Sequence, residues 1–200
     1  MRINRSTDLY FLNNWSKENS IFNKLIENYK AYILKFLNTF AKKINPMPFQ
    51  SLKPQVESIL NSGELSVDNR LTQICELLKE NIPYYNWVGF YFKNGDKNEL
   101  KLGPFAGEPT DHIIIPFGKG ICGQVAVSNQ NFVVADVKAQ DNYIACSIHV
   151  KAEIVVPLFL NGENVGQIDI DSNTANPFST KDERFLEFVN EKVAGILSSK

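Results

Sequence analysis

The sequence predicts an α+β fold, in which an antiparallel sheet carries helices packed on one side and follows an N-terminal helical extension. Apolar residues recur at helical spacing near both ends of the chain, whereas the part from about residue 85 onward holds short runs rich in aromatic and β-branched residues. Turn sequences separate these runs. The 200 residues are 44% hydrophobic and 22% charged, close to the averages for a globular protein, so a wholly disordered chain is excluded.

The extension is predicted to span residues 1–48 and the main domain residues 49–200. A helix at about residues 17–44 ends before Asn45 and Pro46, because the residue before a proline avoids the α region. Its broad apolar stripe must be covered, either by its own domain or by a second copy of the chain. The stripe exceeds what a small, already covered sheet needs, so we predict partial burial in a homodimer. The eleven large apolar positions are Ile21, Phe22, Leu25, Ile26, Tyr29, Tyr32, Ile33, Phe36, Leu37, Phe40 and Ile44.

The main domain is predicted to contain three helices and six strands. Cys75 lies inside the apolar stripe of the first helix, with Leu71, Ile74 and Leu78, where a cysteine is most simply a small core residue. A glycine loop at residues 118–126 leads into a short helix, and a capping box at residues 180–183 starts the last one. The strands are predicted at residues 85–92, 99–105, 112–117, 132–137, 153–160 and 164–170.

The charge and cysteine content exclude several classes of protein. The formal net charge is -1, so no overall field favours nucleic acid or a membrane surface. No apolar stretch is long enough to span a bilayer, and no signal peptide is recognised at the N-terminus. Three cysteines are too few for a secreted disulfide scaffold, and an odd number would leave one without a disulfide partner, so we expect a cytoplasmic protein.

Six short motifs, taken in order, resemble the free methionine-(R)-sulfoxide reductases, a catalytic branch of the GAF fold. They are NWVGFY at residues 86–91, GPFAG at 103–107, IPFGKGICG at 115–123, AC at 145–146, EIVVP at 153–157 and IDIDS at 168–172. The resemblance leaves out the first 50 or so residues. It implies a GAF-like antiparallel sheet and a small pocket that binds free methionine sulfoxide.

The resemblance also implies the roles of individual residues. The cysteine that attacks the sulfoxide sulfur maps to Cys146, a second family cysteine maps to Cys122, and the carboxylates that hold the substrate map to Glu153, Asp169 and Asp171. Attack leaves a sulfenic acid, which a nearby thiol converts to a disulfide. An external thioredoxin-like dithiol then restores the thiols. We therefore expect no bound cofactor and no metal ion.

The residues themselves support parts of this site. Cys122 would lie near a helix N-terminus and beside Lys119, and both favour a thiolate. Asp169 and Asp171 are two residues apart, so they share one face of a strand, where each carboxylate raises the pKa of the other. Without the resemblance, these residues would be interpreted as half-buried structural cysteines and a solvated acidic strand face.

Two aromatic residues are further candidates for the pocket. Trp87 and Tyr91 lie four residues apart on one strand face. They either wall the pocket around a thioether or belong to the ordinary core, and the sequence leaves both interpretations open.

A register shift is required if the three carboxylates share one face. With a two-residue hairpin loop at residues 161–162, the residue numbers of each pair across the two strands add up to 323. This register places Glu153 on the opposite face of the sheet from Asp169 and Asp171. A shared face needs a sum of 322 or 324. We therefore predict either a three-residue turn or a β-bulge near Pro157.

Two departures from the family keep other functions open. His112 stands where the family has a third cysteine, and Ser147 stands where an aspartate often follows the attacking cysteine. The first hypothesis is the reductase, which the two retained cysteines and three carboxylates favour. The alternatives are a non-catalytic GAF sensor that binds a small molecule in the same pocket, or a dimerisation module that works through its N-terminal helix.

Overall fold

The computed structural model describes Lys30, residues 48–140 and residues 149–198. Apart from Lys30, the helix predicted at residues 17–44 lies outside the described residues, and so does Cys146. The division of the chain near residue 48 therefore stays a prediction. Within the described ranges, no helix combines the length and the apolar character that crossing a membrane requires.

Six strands form one antiparallel sheet, as predicted. They are β1 Trp87–Lys93, β2 Glu99–Ala106, β3 Ile114–Pro116, β4 Phe132–Val134, β5 Ala152–Leu160 and β6 Glu163–Ser172. Their order across the sheet is β3-β2-β1-β6-β5-β4. β3 and β4 are shorter than predicted, and Val137–Ala139 forms a 3-10 turn after β4.

In the described part of the chain, four helices flank this sheet: α1 Pro48–Leu60, α2 Val67–Asn81, α3 Gly120–Ser128 and α4 Thr180–Leu197. Helices α1, α2 and α4 lie on one face and form the main core with strand residues such as Phe90 and Ile154. Helix α3 lies on the other face, where Ile121 and Val125 are buried in a second apolar cluster. The predicted α+β arrangement is therefore present, but the predicted short helix lies on the opposite face of the sheet from the other three helices.

Helix α1 is absent from the sequence prediction. Its apolar residues Phe49, Leu52 and Val56 nevertheless recur at helical spacing, and all three are buried. Pro54 lies inside the helix, where a proline removes a backbone hydrogen bond. Packing stabilises the helix in spite of this loss, since the Phe49 ring stacks on Phe185 of α4 with 4.7 Å between ring centroids.

Helix α4 begins with a capping box one residue earlier than predicted. The N-cap is Ser179, whose backbone N–H donates to Oδ2 of Asp182 at 2.8 Å. The predicted box of Thr180 and Glu183 is therefore wrong. The other carboxylate oxygen of Asp182 accepts hydrogen bonds from the hydroxyls of Tyr84 and Tyr85.

The hairpin of β5 and β6 has the predicted register shift. Glu153 pairs with Asp171, which gives the sum of 324 that a shared carboxylate face requires. The shift is a bulge between the pairs formed by Leu158 and Phe159, at the predicted place. The loop keeps two residues, Asn161 and Gly162, both with positive φ.

The outer edge of β5 is paired along only part of its length. β4 pairs with residues 153–155. Beyond them, Nδ2 of Asn190 in α4 donates hydrogen bonds to the carbonyl oxygens of Val156 and Pro157 at 2.9 and 3.0 Å. Pro157 itself has no N–H to offer. The Asn190 side chain thus provides hydrogen bonds to two residues of β5 that no described outer strand pairs with.

Candidate active site

Three carboxylates lie side by side on the sheet face that α3 covers. Glu153 lies directly opposite Asp171 on the neighbouring strand, and Asp169 precedes Asp171 by two residues on the same face. Each residue is at most 3% exposed. The shifted hairpin register therefore brings the three predicted carboxylates together.

The thiol of Cys122 lies against this carboxylate group. Its Sγ donates a hydrogen bond to Oδ2 of Asp169 across 3.2 Å. Cys122 is the third residue of α3, whose N-cap is Lys119, so it lies at a helix N-terminus as predicted. The sulfur and one oxygen each of Glu153 and Asp169 lie within 4.8 Å of one another, and these atoms are of the types that bind metal ions.

Burial governs the protonation of the three carboxyl groups. It raises the pKa of Asp169 to about 7, although the hydrogen bond from Cys122 opposes the rise. Burial and the charge of Asp169 raise the pKa of Asp171 well above its usual value. Burial, Asp169 and Asp171 together do the same to the pKa of Glu153. Burial therefore favours the protonated form of all three carboxyl groups.

Trp87 forms one wall of a cavity of about 550 Å³ that reaches Asp171. In the sheet, Trp87 is the β1 partner of Asp171. The indole lies against Gly89 and Gly107, and a Cβ at either glycine would collide with it. Its Nε1 donates to the carbonyl of Glu108 at 3.1 Å. Trp87 therefore lines this cavity and also belongs to the buried apolar cluster on this face, and its contact with a thioether stays a prediction.

Tyr91 lies deeper than Trp87 and lines neither this cavity nor the cleft beside Cys122. It is 1% exposed, and its hydroxyl donates to the carbonyl of His112 at 2.9 Å. His112 lines the cleft together with Cys122. Tyr91 thus supports the segment that carries His112.

Gln167 was not predicted as part of the site. It lies two residues before Asp169 on the same strand face, opposite Tyr91 on β1. Its side chain is fully buried, and neither amide atom has a hydrogen-bond partner in the described structure. Side chains alternate between the two faces along a strand, and the alternation that places Asp169 and Asp171 on one face also places Gln167 there.

The cysteines differ in their surroundings. Cys75 is fully buried in the main core, as predicted, with its sulfur 3.6 Å from the carbonyl oxygen of Pro104. Burial raises the pKa of the Cys75 thiol far above its ordinary value. It is therefore unsuited to thiolate chemistry, and it lies on the opposite side of the sheet from Cys122. The position of Cys146 stays a prediction.

The fold and the site together define a GAF-type domain. A family model described as GAF domain matches residues 64–198, so the chain belongs to the GAF domain family. It is 35% identical over 140 residues to the free methionine-R-sulfoxide reductase of Escherichia coli (strain K12), covering 70% of this chain and 83% of that protein. It is 35% identical over 144 residues to the free methionine-R-sulfoxide reductase of Saccharomyces cerevisiae, covering 66% and 79%.

A solved structure extends this likeness to three dimensions. The free methionine-R-sulfoxide reductase of Neisseria meningitidis in complex with its substrate superimposes with a TM-score of 0.71 at 34% identity. The match covers 76% of this chain and 89% of that one. The chain is thus similar to proteins of this activity over nearly their whole length.

Proposed function

We propose that this chain reduces free methionine-(R)-sulfoxide to methionine with a cysteine thiolate. The observation that carries the proposal is the buried group of Glu153, Asp169 and Asp171 beside the Cys122 thiol. Buried carboxylates need a compensating partner, and no described lysine or arginine forms an ion pair with any of the three. The ammonium group of a free amino acid supplies that partner, whereas a peptide-bound residue has none.

The carboxyl groups have two different roles, binding of the substrate ammonium and donation of a proton. One ionised carboxylate binds the substrate ammonium, and a protonated carboxyl donates to the sulfoxide oxygen as the S–O bond breaks. Asp169, with a pKa of about 7, holds its proton in about half the molecules near neutral pH, which suits a proton donor. Trp87 provides the apolar wall for the methylthio end of the substrate.

The redox steps balance with two thiols and an external dithiol. The Cys146 sulfur attacks the sulfoxide sulfur, the oxygen passes to Cys146 as a sulfenic acid, and methionine leaves. The Cys122 thiol then attacks that sulfenic acid, forming a Cys122–Cys146 disulfide and water. A thioredoxin-like dithiol reduces this disulfide and is itself oxidised. Such a reductant belongs to a reducing cytoplasm, which we propose as the location.

The second candidate is a non-catalytic GAF sensor for a small amino compound. His112 favours it, because this residue lines the cleft beside Cys122 and carries no thiol where the resemblance implies one. A sensor needs the carboxylates for binding but has no use for a reactive cysteine pair.

The experiment supplies separated R and S forms of free methionine sulfoxide, and a peptide containing methionine sulfoxide, with a dithiol. We expect consumption of the free R form alone. Cys146→Ser should abolish turnover, whereas Cys75→Ser, the matched control in the opposite core, should leave it nearly unchanged. Equal activity of the wild type and Cys146→Ser would overturn the assignment. Binding of the free R form without any turnover in the wild type would favour the sensor.

A further inference from the structure

The Cys122 thiol and two buried carboxylates form a compact set of possible metal ligands. The Cys122 sulfur and one oxygen each of Glu153 and Asp169 lie within 4.8 Å of one another, and the sulfur is 3.2 Å from Oδ2 of Asp169. In a tetrahedral zinc site, with Zn–S near 2.3 Å and Zn–O near 2.1 Å, neighbouring ligand atoms lie roughly 3.3–3.6 Å apart. Small side-chain shifts therefore suffice to close the set around one ion.

A second observation concerns the hydrogen bonding of this buried group. One carboxylate oxygen of Asp169 and one of Asp171 are buried without a hydrogen-bond partner. Asp171 is directly opposite Glu153 and on the same face as Asp169, so its unpartnered oxygen belongs to the same group. Within the described residues, no lysine or arginine forms an ion pair with any of these carboxylates. A divalent ion at Cys122 would compensate several buried acceptors at once.

We propose that the reduced site binds one Zn²⁺ through Cys122, Glu153 and Asp169. The ligand types decide which ion binds. One thiolate with two carboxylates suits zinc, whereas magnesium and calcium take oxygen ligands alone. Three protein ligands also leave a fourth position open, as in zinc sites that are not fully enclosed.

Binding exchanges protons for the metal ion. The Cys122 thiol now donates its hydrogen to Asp169, and the sulfur binds the ion only after losing that proton to solvent. The position of Cys122 at the N-terminus of α3 favours the thiolate that the ion needs. With the ion in place, the Cys122 sulfur no longer donates a hydrogen bond to Asp169.

The test uses full-length reduced protein, freed of metal with a chelator and kept without oxygen, sulfoxide and reductant. Zn²⁺ is titrated in competition with a chromophoric chelator, and Cd²⁺ is added separately as an optical probe of thiolate binding. We expect one Zn²⁺ per chain and a thiolate-to-cadmium charge-transfer band. Because neither measurement involves turnover, the result is independent of the proposed reductase activity.

Variants identify the ligands. Cys122→Ser should remove the cadmium band and weaken Zn²⁺ binding by more than the roughly 10–100-fold that loss of a residue supporting a ligand costs, while Cys75→Ser, the matched buried thiol, should change neither. Circular dichroism reports whether each variant folds. If Cys122→Ser does not fold, Glu153→Gln and Asp169→Asn provide the same test, with an expected loss of at least about tenfold in affinity. The absence of stoichiometric Zn²⁺, or unchanged affinity in every folded ligand variant, would overturn the proposal.

Discussion

Glu153 and Asp171 face each other directly across β5 and β6, and each is nearly completely buried. Like charges at directly opposed positions destabilise a sheet, and burial raises the pKa of both carboxyl groups. Apolar residues at these positions would give a more stable strand pair. A buried acidic pair of this kind is expected where a ligand requires it, because local rules are broken mainly at functional sites.

Glu153→Gln is therefore expected to stabilise the fold or leave it unchanged, while weakening substrate use. Loss of one charge-assisted contact of about 1.5–3 kcal/mol corresponds to a rise in KM of roughly 10–100-fold. Steady-state kinetics and thermal unfolding measure the two effects. Glu163→Gln, at an exposed position on the same hairpin, is the control and should change neither. An unchanged KM in Glu153→Gln would remove Glu153 from the binding site.

Cys122→Ser distinguishes two ways of clearing a Cys146 sulfenic acid. If Cys122 forms the disulfide, the variant should release one methionine per chain and then stall with thioredoxin-like reductants. If an external thiol acts directly, the variant should still turn over with small thiols. Mass spectrometry after substrate treatment should find either a Cys122–Cys146 disulfide or a Cys146 sulfenic acid. If neither species is found, the reductase hypothesis is wrong and the sensor hypothesis takes its place.

The raised pKa of Asp169 predicts how stability depends on pH. Its carboxyl group titrates near pH 3.8 when unfolded and near pH 7 when folded, so between these values the folded state holds one more proton. The contribution of Asp169 to the free energy of unfolding is therefore fully present below pH 3.8 and is lost as the pH rises through about 7. For one group the slope is about 1.4 kcal/mol per pH unit.

Denaturant unfolding of metal-free protein from pH 4 to pH 8 measures this slope. Asp169→Asn should fall less steeply than the wild type over the same interval, because its amide does not titrate. If the free energy of unfolding fell equally steeply with pH in both proteins, Asp169 would not be the group responsible for the slope.

Gln167→Leu is expected to raise the free energy of unfolding by about 1 kcal/mol, since it removes a buried amide that has no described partner. Asn190→Leu is the matched comparison. That amide donates to two carbonyl oxygens, and its loss should cost about 1–3 kcal/mol. Destabilisation of Gln167→Leu as large as that of Asn190→Leu would show that Gln167 has a partner in solution.

Deletion of residues 1–45 tests the homodimer that the apolar stripe predicts. The shortened chain should be a monomer or an aggregating domain, whereas the full chain should sediment as a dimer. A full-length chain that sediments as a monomer at high micromolar concentration would refute the prediction.

The hairpin register was predictable because strand alternation permits only two outcomes. A shift by one residue moves a whole set of side chains to the other face, so requiring Glu153 and Asp169 to share a face fixed the parity. The same alternation places Gln167 on this face, so its position beside the carboxylates was predictable as well. What alternation does not provide is the contact between Cys122 and Asp169, which depends on how α3 is rotated above the sheet.

The errors have equally local causes. Residues 179–183 contain two overlapping capping boxes, one starting at Ser179 and one at Thr180, and local sequence does not separate them. The choice is made by Asp182, which the hydroxyls of Tyr84 and Tyr85 draw into the interior. Helix α1 contains Pro54, which disfavours a helix locally, and burial of its apolar side chains against residues distant in sequence offsets this cost.

The contact of Asn190 with the edge of β5 bears on how copies of the protein meet at high concentration. Exposed strand edges are templates on which other chains add strands and grow into cross-β fibrils. Here Asn190 occupies the carbonyl oxygens of Val156 and Pro157, and the proline offers no N–H to an incoming strand. An incoming strand would therefore have to displace the Asn190 amide before it could pair with Val156 and Pro157.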